Sequence, residues 1–346
     1  MVKSTFLQQQ KTGGRLPHMK KTAICALWLF TGTITCWAQT PKKDGNFTLA
    51  LPAHQGQLKW NADEFKIVQS SAKPNGAEVG IRANDGSSQF TLLGFLFLFP
   101  EQAPMTSAKC RDGVLEPAKK SNPTIKIAAT TEMVRSDGPP VELVSYVGQG
   151  RDGKLVYSMR GFIAIGDICG DLEVYGNDLN VIRDPNLKKV WESYRFDPQY
   201  VPQFNDVFSY AQILYQNHMY PAAAPVFEQV LTKLKDDQDK DQVMWRRMTT
   251  DQAGIAYGLA GNIPKARALF EAAVAKDPEY PMYYYNLACA DAGEKKLADA
   301  RTHLQQAFAR KANVIQGEAM PDPTKDDSFI PYRDNKEFWT FVESLR

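Results

Sequence analysis

Histidine is scarce in this chain and cysteine nearly so, with four and five among 346 residues. No histidine stands in an H-E-x-x-H pattern and no two cysteines form a C-x-x-C pair, so no zinc site of known spacing is encoded and no metal is expected. G-x-S-x-G is absent, as are the His-Arg-Asp and Asp-Phe-Gly segments of a kinase, which removes the commonest hydrolase and phosphotransferase signatures. Charge of one sign is lacking too: 41 Lys+Arg stand against 39 Asp+Glu, and no basic cluster offers nucleic acid a face. No apolar run approaches the roughly 20 residues of a membrane-spanning helix. Catalytic residues and cofactors are therefore not expected.

Residues 1–38 carry Lys3, Lys11, Arg15, Lys20 and Lys21 and no acid, then an apolar run over 23–37 that ends at Ala38. A basic segment, a short apolar core and a small residue at its end make a secretory signal peptide. Met19, directly before Lys20 and Lys21, is an alternative start. A retained membrane anchor is the competing reading, and the length of the run argues against it. With the five basic residues of the leader set aside, the rest of the chain has a net charge of about −3. A periplasmic or secreted location follows, with no membrane span once the leader is removed.

Export changes what the cysteines mean. Cys25 and Cys36 belong to the leader, leaving Cys110, Cys169 and Cys289. In an oxidising compartment Cys110 and Cys169 are candidates for a disulfide. Cys289 lies in a small-residue helical run with no histidine near it in sequence, so a packing role outweighs a nucleophilic one.

From residue 46 to about 180 the apolar pattern has period two or is continuous. Segments 65–68, 77–81, 141–144 and 154–157 read as strands, bounded by turn residues such as Asn75-Gly76, Asp85-Gly86 and Asp152-Gly153. The run over 90–99 is stopped by Pro100 and suits a central strand buried on both faces. Helical turns are expected around 112–120, weakened by Pro117 and Gly113. Gly148, Gly150 and Gly153 fit G-x-G-x-x-G, but the strand-like 154–157 follows where a dinucleotide site needs a helix, so they are read as a hairpin turn. Residues 237–241 imitate the first half of a calcium loop, yet Gln242 replaces its glycine and Met248 its bidentate Glu. An antiparallel sheet with one or two covering helices is the expected product for 39–184. With its early hairpin, the Cys110-Arg111-Asp112 segment after the apolar strand and the closing hairpin, this region resembles PsbP-like domains. The prolines 185, 198 and 202 place a linker with a short helix at 185–203, whose Trp191, Tyr194 and Phe196 are expected to pack the two halves together.

Residues 251–308 repeat with a period of 34: Ala266 and Ala300, Phe270 and Leu304, Ala273 and Ala307. Such a period marks stacked helical hairpins. Ala253, Gly254, Tyr257, Gly261, Ala266, Phe270, Ala273 and Pro278 match the tetratricopeptide repeat pattern in order and spacing, and Tyr284, Leu287, Ala288, Ala300, Leu304 and Ala307 form the next unit. An earlier unit, Ala211, Leu214, Tyr220, Ala223, Phe227 and Leu231, is set back by 43. The chain thus resembles tetratricopeptide repeat proteins over about 204–314, with Asp291 standing where an aromatic residue is usual and Lys295 where glycine is. Residues 315–346, rich in aromatic residues, are expected to cap the last hairpin.

The fold class expected is α+β, an antiparallel-sheet domain followed by an all-α solenoid of about three hairpins. The resemblance implies a concave groove for a peptide or a partner's helix, and its offsets put Phe208, Gln212 and Tyr215, then Met248, Asp251 and Ile255, then Tyr285 and Cys289 along it. Filling of that groove by the chain itself is an equal alternative. The leading expectation is an exported, non-catalytic scaffold that binds a protein or peptide partner. Its rival has the sheet domain hold, or hydrolyse, a small apolar or lipidic ligand while the repeats present it; a large cavity with convergent polar groups would favour that rival.

Overall fold

The computed structural model of the chain describes residues 45–87, 89–100, 103–235 and 239–345. The leader expected over 1–38 and part of the calcium-loop mimic lie outside them. The described chain divides into two compact units at Ile213/Leu214.

In chain order the first unit contains β1 (Asn46–Ala50), β2 (Gln57–Asn61), β3 (Phe65–Ala72), β4 (Glu78–Asp85), β5 (Phe90–Leu98), α1 (Ser107–Ser121), β6 (Lys126–Met133), β7 (Val141–Gln149), β8 (Leu155–Ile165), β9 (Ile168–Gly176), α2 (Asn180–Arg183), α3 (Pro185–Ser193) and β10 (Arg195–Asp197). Seven strands form one antiparallel sheet in the order β3-β4-β5-β9-β8-β7-β6. Helix α1 covers one face, begun by Thr106, whose hydroxyl accepts from Lys109 N at 3.2 Å. Cys110 of α1 and Cys169 of β9 are joined by a disulfide, their Cα atoms 5.5 Å apart. Gly150 to Gly153 close the β7–β8 hairpin, Gly153 N donating to the Gly150 carbonyl.

The opposite face carries a three-stranded sheet, β1-β2-β10. Trp60 of β2 is stacked on Phe47 and meets Tyr194 edge-on. This corrects the expected linker: β10 pairs with β2, from Arg195 opposite Lys59 to Asp197 opposite Gln57, and Asn61 N donates to Ser193 Oγ. Residues 185–197 are built into the first unit. Trp191, Tyr194 and Phe196 are buried within that unit. The reason is that β2 offers a free edge about 140 residues upstream in sequence, a pairing that no local pattern announces.

Strand β5 also departs from expectation. Leu92 and Leu96 are fully buried, whereas Leu93, Phe95 and Phe97 on the other face are only half-buried, because α1 is narrower than the seven-stranded sheet beneath it.

Helix α4 (Phe204–Gln216) spans the division. The second unit continues with α5 (Tyr220–Thr232), α6 (Lys240–Leu259), α7 (Ile263–Lys276), α8 (Pro281–Gly293), α9 (Leu297–Ala309) and, after short 3-10 turns, α10 (Lys336–Glu343). The repeat is visible in the backbone. Met219 N donates to the Leu214 carbonyl, Asn262 N to Tyr257 and Lys296 N to Asp291, each at 2.8 or 2.9 Å. In each of the three turns the residue before that donor has positive φ: His218 at 60°, Gly261 at 84° and Lys295 at 63°. Hairpin packing follows the small residues: a Cβ on Gly254 would lie 2.1 Å from the Phe270 ring, so only glycine lets α6 and α7 approach this closely. Ala288, Ala300, Leu304 and Ala307 form the corresponding core one hairpin later. This half is a helical repeat, and the whole chain is α+β. Among the described residues no helix is long and apolar enough to cross a membrane.

Candidate functional sites: the inner helical row and the sheet cavity

Of the residues assigned to the groove, Phe208 and Gln212 belong to the first unit. Phe208 is buried and stacked on Phe204 at 5.7 Å, and Gln212 is half-buried. In the second unit, Tyr215, Met248, Asp251 and Ile255 are half-buried. Tyr215 packs edge-on against Tyr220 and Phe227, and its phenol is pushed up by burial and by the nearby Asp251. Asp251 in turn accepts a hydrogen bond from Asn286 Nδ2. Tyr215 near the end of α4, Asp251 within α6 and Asn286 within α8 therefore make a row. Burial, then the charge of Glu318, pushes the Asp251 carboxyl up to about 8, with Asn286 opposing.

Tyr285 is differently placed. All residues from Pro281 to Ala292 of α8 are buried, and the chain's own tail contributes to that cover. Tyr285 Oη donates to Asp326 at 2.9 Å, with Phe329 edge-on at 6.0 Å. Tyr280 Oη stands 3.0 Å from both oxygens of Glu318. The self-filling alternative thus describes the last hairpin, where α10 also packs Phe338 and Val342 into the core. Cys289 is wholly buried in the same helix. Asp291, where an aromatic residue is usual, is buried between Arg267 Nη2 at 2.7 Å and His303 Nδ1 at 2.6 Å. It replaces an apolar contact between hairpins by an ion pair.

A second site lies in the first unit, between α1 and the half-covered face of the large sheet. Here a cavity of about 320 Å³ is walled by Leu93, Phe95, Phe97, Val114, Ile125 and Val156. Its floor is polar. Arg160 of β8 forks onto Asp171 of β9, Nε to Oδ1 at 2.7 Å and Nη2 to Oδ2 at 2.5 Å. Glu173, two residues further on β9, accepts from Tyr146 Oη and from Ser158 Oγ. Against the cost of burial, the charges of Asp171 and Glu173 hold the Arg160 guanidinium well above its usual range. Burial, together with Glu173, pushes the Tyr146 phenol up, so that it stays a donor. Sequence reasoning missed these residues because they come from separate strands. The one available signal was two acids at i and i+2, Asp171 and Glu173, on a strand that otherwise reads as core. Among the described residues no group of three or more His, Cys, Asp or Glu side chains is arranged to hold a metal ion.

No protein-family model matches the chain, and no curated protein matches it. Among solved structures the chain is similar to PcrH from Pseudomonas aeruginosa, at 13% identity over 41% of this chain and 90% of that one, with a TM-score of 0.29. It is also similar to the Sgt2 TPR domain from Aspergillus fumigatus, at 16% identity over 42% and 78%, TM-score 0.29. A third is MamA from Desulfovibrio magneticus RS-1, at 20% identity over 41% and 75%, TM-score 0.30. Likenesses this slight assign nothing to this chain by themselves.

Proposed function

We propose that this protein is an exported, non-catalytic binding protein of the cell envelope whose helical repeat holds a protein or peptide partner. The observation that carries the reading is the row Tyr215, Asp251 and Asn286, with Met248 and Ile255 flanking Asp251 on the same helix. Successive inner helices of stacked hairpins present one continuous strip, which is the arrangement an extended peptide or a partner's helix can follow. The tail covers Tyr285 on α8, and its Ile315 and Met320 pack against the same cluster as Ile255, so the partner is expected along the Tyr215 and Met248 side of the strip.

A photo-crosslinking residue at Met248, compared with one at the exposed Lys276 of α7, tests this in envelope extract. A defined adduct at position 248 that position 276 does not give is the expected result. Identical adducts at both positions, or none at 248, would sink the proposal.

The cavity favours a second reading, in which the first unit holds a small amphipathic ligand. A large apolar-walled cavity with converging polar groups is the form that small-molecule sites take.

A further inference from the structure

The charges of the cavity say more about its occupant than its volume does. Two cations line it, Lys73 and Arg160, with three carboxylates, Glu78, Asp171 and Glu173. Lys73 Nζ is engaged by Glu78 at 2.7 Å, and the Arg160 fork is engaged by Asp171. Glu173 remains. Its Oε1 takes two neutral donors, Tyr146 and Ser158, while its Oε2 meets Arg160 Nη1 only at 3.7 Å. Arg82, the next side chain on that face of β4, is exposed and does not line the cavity. One negative charge is thus in excess in a half-buried space, and a buried charge calls for a counter-charge.

The walls agree in sign. Phe95 and Phe97 stand side by side, ring centroids 5.6 Å apart and nearly parallel, and the Tyr175 ring joins them in the lining. Aromatic faces attract cations through the ring quadrupole. An anion would instead meet Glu78 and Glu173 with both cations already taken, and would have to open the Arg160–Asp171 fork to find a partner.

We infer that the cavity binds a small organic cation, an amine or ammonium group carried on a compact apolar body, with the ammonium directed to Glu173 Oε2 and the body against Phe95, Phe97 and Val114. This rests on the second reading above, that the first unit holds an amphipathic ligand. It commits that reading to one charge.

The test compares three probes of nearly the same shape on the full chain by saturation-transfer NMR and calorimetry: 3-phenylpropylammonium, the neutral 3-phenylpropanol and the anion 3-phenylpropionate. The cation is expected to bind about tenfold or more tightly than either of the others. Glu173→Gln should abolish that preference while neutral binding persists, and Val114→Trp, which fills the cavity, should weaken all three. If the neutral or anionic probe binds as well as the cation, and Val114→Trp blocks it, the inference is overturned and the cavity reading stands. If none of the three binds, both fall. The probe comparison on the unaltered chain decides the charge even where Glu173→Gln fails to fold.

Discussion

At the scale of single residues, the hairpin turns expose a cost that the sequence carries. The position that Gly261 fills with positive φ is filled by Lys295 and His218 in the neighbouring turns. A residue with a Cβ loses about 1 kcal/mol or more in that conformation, partly offset in glycine by the greater freedom of its unfolded chain. Lys295→Gly is therefore expected to stabilise the protein by about 0.5–1 kcal/mol, read from the urea midpoint at constant slope. His218→Gly should give less, since it also removes the contact of Nδ1 with Tyr220 Oη at 2.6 Å. A loss of stability in Lys295→Gly would show that the lysine side chain contributes more than its backbone costs.

Asp251 gives a pH dependence with a definite sign. Its carboxyl is raised to about 8 in the folded chain from about 3.9 when unfolded, so between those values the folded state holds a proton that the unfolded state releases. Its own contribution to stability is then greatest below about pH 4, falls as pH rises, and levels off above about pH 8, opposed by Asp197, Glu228 and Glu294, whose carboxyls are lowered by their cationic partners and hydrogen-bond donors. Burial raises Glu318 and Asp326 as well, and both add to the same slope. Asp251→Asn keeps an acceptor for Asn286 and removes this residue's share. It is expected to be more stable than the parent at pH 9 by on the order of 2 kcal/mol and little different at pH 4. Equal urea midpoints at pH 9 would mean that Asp251 ionises without penalty.

At the scale of elements, what was legible followed local pattern. The 34-residue repeat located the helices from α6 to α9 because one spacing serves both the packing of small residues and the turn. Strands β3, β4, β7 and β8 showed their pattern, and β5 was located by its continuous apolar run, which hid that one of its faces is only half-buried. Strand β6 did not, since its residues from Lys126 to Glu132 are exposed on both faces. Strands β1, β2 and β10 are short, and β10 finds its partner far away in sequence. Strand β9 was missed because the face toward α1 carries Asp171 and Glu173 where a core strand would carry apolar residues. The candidate site hid in the same place, because Arg160, Glu173 and Tyr146 meet only through the β7-β8-β9 register. Helix α1 shows tertiary context prevailing over propensity. It runs for 15 residues through Gly113 and Pro117, held by Cys110, Leu115 and Ala118 against the sheet.

At the scale of the whole molecule, the disulfide between α1 and β9 links the fold to the proposed compartment. Cys110 and Cys169 are 59 residues apart in sequence, and a cross-link closing a loop of that length contributes about 4 kcal/mol in the chain-entropy model. The same bond roofs the sheet face that holds the cavity, so losing it loosens α1 over the Phe95 and Phe97 wall. Disulfides of this kind persist in the envelope and are rare in the cytosol. The proposed export therefore predicts that Cys110 and Cys169 resist maleimide in denatured protein recovered from the envelope and react in protein made without residues 1–38 and kept in the cytosol. The reduced form is expected to melt lower and to exchange the amide hydrogens of α1 faster. Full maleimide labelling of both residues in the envelope fraction would argue against export to an oxidising compartment, whatever the helical repeat binds.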